Sequence, residues 1–179
     1  MKSKPANLAK TIGRLWPSLL LLPFQFLRHG RGALFFRHPF AHITGQVVYG
    51  RFAEIGAYSF LNAGPHGISI GSFSQINPHV SLIGNVHIGN RVLIAPSSVL
   101  ASGGHKFGKG IEPRFSGGGK EKIIRIEDDV WIGANVTIIG EVIIGRGSVI
   151  AAGVTIDRSV PPETLVRRSA TSFVFEFIR

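Results

Sequence analysis

Residues 126–160 read IEDDVW IGANVT IIGEVI IGRGSV IAAGVT IDRSV when broken every six residues. Each block opens on isoleucine, at Ile126, Ile132, Ile138, Ile144, Ile150 and Ile156. Four residues on, each has a small or β-branched residue: Val130, Val136, Val142, Ser148, Val154 and Val160. The same frame runs earlier, through Ile70, Ile76, Leu82, Ile88, Ile94 and Leu100. Ser74, Val80, Val86, Val92, Ser98 and Gly104 hold its second position. An α-helix, at 3.6 residues per turn, drifts off a strict six-residue register. An ordinary strand alternates in twos and stops at a turn after a few residues. A period of six with two inward positions instead predicts an all-β fold, a triangular parallel β-helix. Each hexad supplies one short strand and one corner, three hexads close a turn, and turns stack about 4.8 Å apart. Gly71, Gly89, Gly133 and Gly145 directly follow their isoleucines, where the chain is expected to bend.

Working outward, Tyr49, Ile55 and Leu61 predict an earlier coil, with a three-residue excess between Leu61 and Ile70. Leu100 to Ile126 is a step of 26, which exceeds a hexad by 20. That excess is not a multiple of six, and it is rich in glycine, so it predicts a loop. Long loops on rigid scaffolds usually carry function. The expected organisation is an N-terminal arm over 1–45, a β-helix over 46–162 with an excursion at 106–125, and a tail over 163–179. In the tail, Phe173, Phe175 and Phe177 alternate with Val174 and Glu176, predicting a terminal strand that covers the open end.

Composition narrows the chemistry. There is no cysteine, which excludes disulfides, thiolate metal sites and a cysteine nucleophile. The net charge is +10, and residues 1–53 hold eight Lys or Arg before the first carboxylate, Glu54. Such a block attracts phosphates, as in anionic lipid or a phosphorylated cofactor. No basic motif interleaved with aromatics is present, so nucleic acid is not an expected partner. Leu15–Leu27 is apolar but too short for the ~20 residues of a spanning helix. Lys2, Lys4 and Lys10 ahead of it mimic a signal peptide, yet Pro17 and Pro23 interrupt it and no cleavage site follows. Residues 1–40 would suit contact with an anionic membrane at its inner, cytoplasmic face, or packing against the protein itself. Both readings stay open.

The hexads resemble those of the hexapeptide-repeat acyltransferases, nearest in pattern to sugar or polysaccharide O-acetyltransferases and xenobiotic acetyltransferases. The resemblance covers residues 46–162. It implies a left-handed coil, a homotrimer, acetyl-CoA as donor, a carbohydrate acceptor and no metal. Ala95-Pro-Ser and Ser102-Gly-Gly-His105 resemble the stretch before the catalytic histidine of that family. The run from His105 to Val130-Trp-Ile-Gly133 resembles its loop-then-coil layout. By that resemblance His105 is the general base, and Trp131, Gly133, Ala134 and Ala152 line the edge that holds coenzyme A. Arg158 stands where relatives have a lysine near the phosphates, and an arginine suits that role by bidentate contact. Three positions depart from the pattern. Ser97 replaces an acceptor-contacting Asn, Asp157 replaces a Thr, and Arg167-Arg168-Ser169-Ala170 replaces a Gly-x-Pro-Ala turn.

One histidine suffices for the chemistry. An imidazole, with an ordinary pKa near ~6.5, can take a hydroxyl's proton as the oxygen attacks a thioester. Backbone N–H groups can stabilise the resulting oxyanion. Without cysteine, direct transfer in a ternary complex is expected; acylation of Ser102 is the alternative route. His87 sits 18 residues before His105, one full turn, and is expected directly below it, lining an acceptor pocket with Ser97. The plain alternative for each histidine is a solvated surface residue. Rival functions are a serine acetyltransferase, an amino-sugar N-acetyltransferase and a non-enzymatic β-helix subunit. Gly67-Ile68-Ser69-Ile70-Gly71 resembles an early serine acetyltransferase coil, but Asn62-Ala63 stands where that family has an Asp-His pair. A zinc β-helix carbonic anhydrase needs three convergent imidazoles, and His66, His79, His87 and His105 contain no His-x4-His step.

Overall fold

The computed structural model describes residues 34–168 and 173–177. Short strands climb through them as a three-faced coil. The first face is one sheet, ordered β1 (Phe36–Arg37), β4 (Glu54–Ile55), β6 (Gln75–Ile76), β8 (Leu93–Ile94), β11 (Trp131–Ile132), β14 (Val149–Ile150), β16 (Thr164–Arg168) and β17 (Phe173–Phe177). The second face holds β2 (His42–Thr44), β9 (Val99–Ala101), β12 (Thr137–Ile139) and β15 (Thr155–Ile156). The third holds β3 (Val47–Tyr49), β10 (Ile123–Ile126) and β13 (Val142–Ile144). Two longer strands, β5 (Phe60–Ile70) and β7 (Ser81–Ile88), run through the corner and join the second and third faces into one sheet. Strand pairing along the coil is parallel. The expected terminal strand is β17, which adds antiparallel to β16.

The hexad explains the climb. Every opening residue from Ile70 to Ile156 in the two six-residue frames is buried, none more than 4% exposed. Serines at the second inward position splice one coil to the next. Ser98 Oγ donates to the Gly133 carbonyl at 2.8 Å and accepts from Val136 N–H at 3.2 Å. Ser74 does the same with Gly89 and Val92. These two buried serine hydroxyls are therefore paired, as a dry interior requires. The glycines work differently from the expected bend. Gly133 lies under the next coil, where a Cβ would come within 2.6 Å of the Ala152 nitrogen. The bend falls two residues later, in a column of left-handed residues that includes His79, Ser97 and Asn135.

The boundaries differ from those expected. Strands β1 and β2 already pair with β4 and β5, so the coil begins ahead of residue 46. It also continues past 162, because β16 pairs parallel with β14. Phe35 and Val166 fill these outer inward positions, and neither is marked by a hexad isoleucine. The three-residue excess is a bulge in β5: Ala63 pairs with Gly84, and the next pair is Ile68 with Val86. The excursion spans 102–122, since β10 resumes at Ile123. The step between stacked residues, 18 along the regular hexads, 21 across the bulge and 16 at the last coil, becomes 38 across it. Ile124, in register with Val86 and Val142, takes the inward position expected of Gly104, which is exposed instead. The apolar segment at 15–27, and most of the segment read as membrane-contacting, lie outside the described residues.

Candidate functional site

The excursion leaves the corner between the second and third faces as a pinched hairpin. His105 forms an antiparallel bridge with Gly118, and Gly119 N–H donates to the Gly104 carbonyl at 2.7 Å. His105 is exposed at this neck. One buried residue fixes the root of the loop, with its backbone and its side chain. Asn85 donates its N–H to Ser102 Oγ at 2.7 Å, where the loop departs, and its Nδ2 to the Lys122 carbonyl at 3.2 Å, where the loop returns. Its Oδ1 accepts from His66 N–H in the β5 bulge at 2.8 Å. His66 Nε2 also meets the Glu121 carboxylate at 2.9 Å, tying the returning leg to the coil.

His87 does not stack beneath His105. The loop interrupts the frame before the fifth position of the Leu100 hexad, so the residue one turn above His87 is Arg125. One turn below is Ser69, whose Oγ lies 2.8 Å from His87 Nδ1. Burial pushes the His87 imidazole below its ordinary pKa, and the charge of Arg125, then His66, lowers it further. His87 and Arg125 line a cleft of about 650 Å³ with Glu127, Asp128 and Arg146. The two carboxylates are partly committed to the wall. Glu127 Oε2 accepts from Arg146 N–H at 2.8 Å. Asp128 accepts from Asn90 N–H at 2.8 Å and from the Arg146 guanidinium at 3.2 Å. The Asn90 hydrogen bond is the main reason its carboxyl stays below the usual carboxylate range.

The residues expected on one coenzyme edge fall on separate parts of the prism. Trp131 stands half exposed on the first face, between Leu93 and Val149 of the adjoining coils. Gly133, Ala134 and Ala152 follow at the corner between the first and second faces, where Gly153 N–H donates to the Ala134 carbonyl at 2.9 Å. Ser97 lies in that same corner, directly below Asn135, whose N–H donates to the Pro96 carbonyl. Arg158 is elsewhere. It follows β15 at the loop corner, exposed, with Nε 3.2 Å from Asp157 Oδ1. One edge therefore does not carry all five, because the chain turns a corner between Ala152 and Arg158. Among the described residues no three His, Cys, Asp or Glu side chains gather as metal ligands would.

Sequence reading missed Asn85, Arg125 and Glu127. The signal for Arg125 was available: excising the 20 extra residues before Gly104 rather than after His105 sets it over His87. Asn85 gave no such sign, since its importance depends on which loop ends meet it.

The bacterial transferase hexapeptide family (six repeats) matches residues 67–102 and 124–158, the two stretches that flank the excursion. The bifunctional protein GlmU of Bartonella bacilliformis is 31% identical over 151 residues, covering 76% of this chain and 30% of that protein. The GlmU of Exiguobacterium sp. is 31% identical over 127 residues, covering 71% and 24%. The chain thus spans less than a third of the length of these relatives. Among solved structures, the hexapeptide-repeat acetyltransferase VCA0836 of Vibrio cholerae, complexed with acetyl coenzyme A, is 29% identical. It superposes with a TM-score of 0.58, over 93% of this chain and 85% of that one. A variant of the N-acyltransferase AntD of Bacillus cereus, with dTDP-4-amino-4,6-dideoxyglucose and coenzyme A, superposes at 0.72 with 18% identity, over 88% and 89%. PerB of Caulobacter crescentus, with CoA and GDP-perosamine, superposes at 0.62 with 20% identity, over 88% and 64%. By repeat and by fold, this chain belongs to the hexapeptide-repeat proteins of the left-handed β-helix kind.

Proposed function

We propose that this chain transfers the acetyl group of acetyl-CoA directly to a sugar or polysaccharide hydroxyl, with His105 as general base. The observation that carries this reading is an exposed imidazole held by a backbone bridge at the neck of a long excursion from a rigid coil. His105 takes the proton as the hydroxyl oxygen attacks the thioester carbonyl. The tetrahedral oxyanion then collapses, the C–S bond breaks, and the imidazolium returns the proton to the departing thiolate. Acetyl coenzyme A in the VCA0836 complex supports the donor. The sugar nucleotides of the AntD and PerB complexes support a carbohydrate acceptor, and favour transfer to an amine as the second reading.

The working unit is a homotrimer with shared sites. His105 and Arg158 sit at one corner of the prism, while Gly133, Ala134, Ala152 and Ser97 sit at another. A single prism does not close those corners on each other, whereas a neighbouring prism supplies the second set. The loop fits this reading, because Phe107 and Phe115 are 87% and 77% exposed beyond its neck. Exposed apolar groups of this size usually mark a contact. The basic segment over residues 1–40 rests on the inner face of a membrane in this reading, beside the exposed Phe40, Phe52 and Tyr58. The test is thiol release from acetyl-CoA across a panel of sugars, amino sugars and glycans. No release with any of them sinks the proposal. Mixing a His105→Ala chain with a Trp131→Ala chain tests sharing: restored turnover supports it, and a monomer by light scattering overturns it.

A further inference from the structure

We propose that the N-terminal end of the prism docks on a membrane, where a collar of exposed aromatic rings on the first coils enters the interface of an anionic bilayer. This rests on the membrane reading of residues 1–40 and moves the contact onto the folded coils; it does not depend on the transferase reading. The observation behind it is a gradient along one structural position. At the corner between the first and second faces, Tyr58, His79, Ser97, Asn135 and Gly153 all hold left-handed backbone, and the last four donate N–H to the coil below. Phe52, Phe73, Arg91, Asp129 and Gly147 repeat the arrangement at the corner between the third and first faces. Upper coils fill this position with Asn, Asp or Gly, which adopt left-handed backbone at least cost. The lowest coils fill it with Phe and Tyr, where it is strained. Burial does not offset that strain. Phe73, Tyr58 and Phe52 are 61%, 58% and 46% exposed. The rings meet one another instead: Phe52 lies 5.4 Å from Phe73, and Tyr58 stacks between Phe40 and His79 at 5.4 and 5.3 Å.

The rings surround the end of the prism rather than mark one side. They occupy two corners, while Phe60 is exposed on the second face and Val48 on the third. A flat partner meets all of them only end-on, and a bilayer is such a surface. Beyond Phe73, the described coil outside the excursion carries one exposed aromatic, Trp131. Charge agrees with a lipid partner. Up to Phe73 the chain holds eight Lys or Arg against one carboxylate, and the remainder holds twelve against nine. Arg51 lays its guanidinium over the Phe52 ring, 5.7 Å from the centroid, so cation and ring reach the same depth. Rings at the headgroup level with cations toward anionic lipid are the composition of membrane-interface belts. The 33 residues ahead of Leu34, with six Lys or Arg and no acid, join the prism at this same end. With the coil axis standing on the bilayer, β9 lies three coil spacings above β2, about 14 Å, which holds the neck of the excursion clear of the lipid.

The experiment uses the full chain and vesicles of phosphatidylcholine, alone or mixed with phosphatidylglycerol. Binding is read by co-sedimentation, Tm by calorimetry and mass by light scattering. The chain is expected to bind the mixed vesicles more tightly than the neutral ones. A variant carrying Phe52→Asn, Tyr58→Asn and Phe73→Asn should lose about tenfold or more in affinity with Tm held, since asparagine takes left-handed backbone more easily. Ile143→Thr, a loss of exposed apolar surface on an upper coil, should leave binding unchanged. A second variant, Lys2→Gln with Lys4→Gln and Lys10→Gln, separates the collar from the arm. Binding that needs the rings and survives this change supports the collar and removes the arm from the contact. Binding that the arm variant abolishes and the ring variant keeps overturns the proposal. A ring variant whose Tm falls with its binding overturns it by assigning the rings to the fold. One that loses its oligomer overturns it by assigning them to a second copy. Orientation has its own readout, because the chain has no cysteine. An environment-sensitive dye on Phe73→Cys should shift to the blue on mixed vesicles, and the same dye on Thr155→Cys should not. Any other pattern overturns end-on docking. Ring-dependent binding without thiol release from acetyl-CoA keeps the docking end and sinks the transferase reading.

Discussion

The stacked coils and the excursion at 102–122 are stabilised on different principles. In the coils each hexad is fixed twice, by its two inward side chains and by backbone bonds to the turns above and below. The loop relies on a pinch at Gly104 and Gly119, the Ser116 hydroxyl, and one exposed His66–Glu121 pair. An exposed pair of that kind contributes little. The coil therefore tolerates no slip, while the loop presents its histidine and its phenylalanines outward. On the proposed function, rigidity and reactivity lie in adjacent segments. Damage to each should read out in a different measurement.

His105→Ala is expected to have the largest effect. Turnover should fall by about 10²–10⁴, the usual contribution of a general base, with Tm unchanged. Near-normal turnover by the folded variant would remove His105 from the chemistry. Ile138→Ala is the converse. Ile138 is fully buried, and truncation should cost about 2–5 kcal/mol in chemical denaturation. Cofactor affinity in the remaining folded fraction should be unaltered. A loss below about 1 kcal/mol would show that the prism interior is loosely packed, against the density expected of such cores.

Asn85→Ala probes the seam between the two regions. The substitution leaves His66 N–H and the Lys122 carbonyl without their partner, a cost of about 1–3 kcal/mol. Because this side chain ties the returning end of the loop to the β5 bulge, kcat should fall further than the change in stability explains, with acetyl-CoA affinity kept. Equal kcat in wild type and variant would show that the neck at His105 positions itself.

The coil was legible because its information is repeated. Eleven hexads state the same two inward positions and the Leu100 hexad states the first, so one irregular block does not obscure the frame. The outer coils were missed where aromatic or valine residues, Phe35 and Val166, replaced the isoleucine. The loop was legible in length but not in register. Counting His105 as the sixth position of its hexad placed it over His87, whereas the frame had already broken and Arg125 held that place. A repeat determines what stacks only while it continues. Where it stops, contacts such as those of Asn85 depend on tertiary closure, and no local pattern marks them.

The smallest effect expected is a shift in one titration, and it checks the corrected register directly. In the fold His87 is held below its ordinary pKa first by burial, then by Arg125 and His66. Unfolding releases it to about 6.5. Below that value the unfolded chain binds the proton more readily than the native one, so His87 costs stability as pH falls from about 6.5 through its native pKa, and costs nothing well above it. Arg125→Ala removes the second cause and keeps the first. The His87 ring, followed by its proton resonances, should then titrate higher than in wild type but still below the value of about 6.5 it takes when unfolded. The loop variant itself should not move His87, because His105 is not its neighbour. If His105→Ala shifts His87 and Arg125→Ala does not, the two histidines are stacked after all, and the frame breaks after the loop root rather than before it.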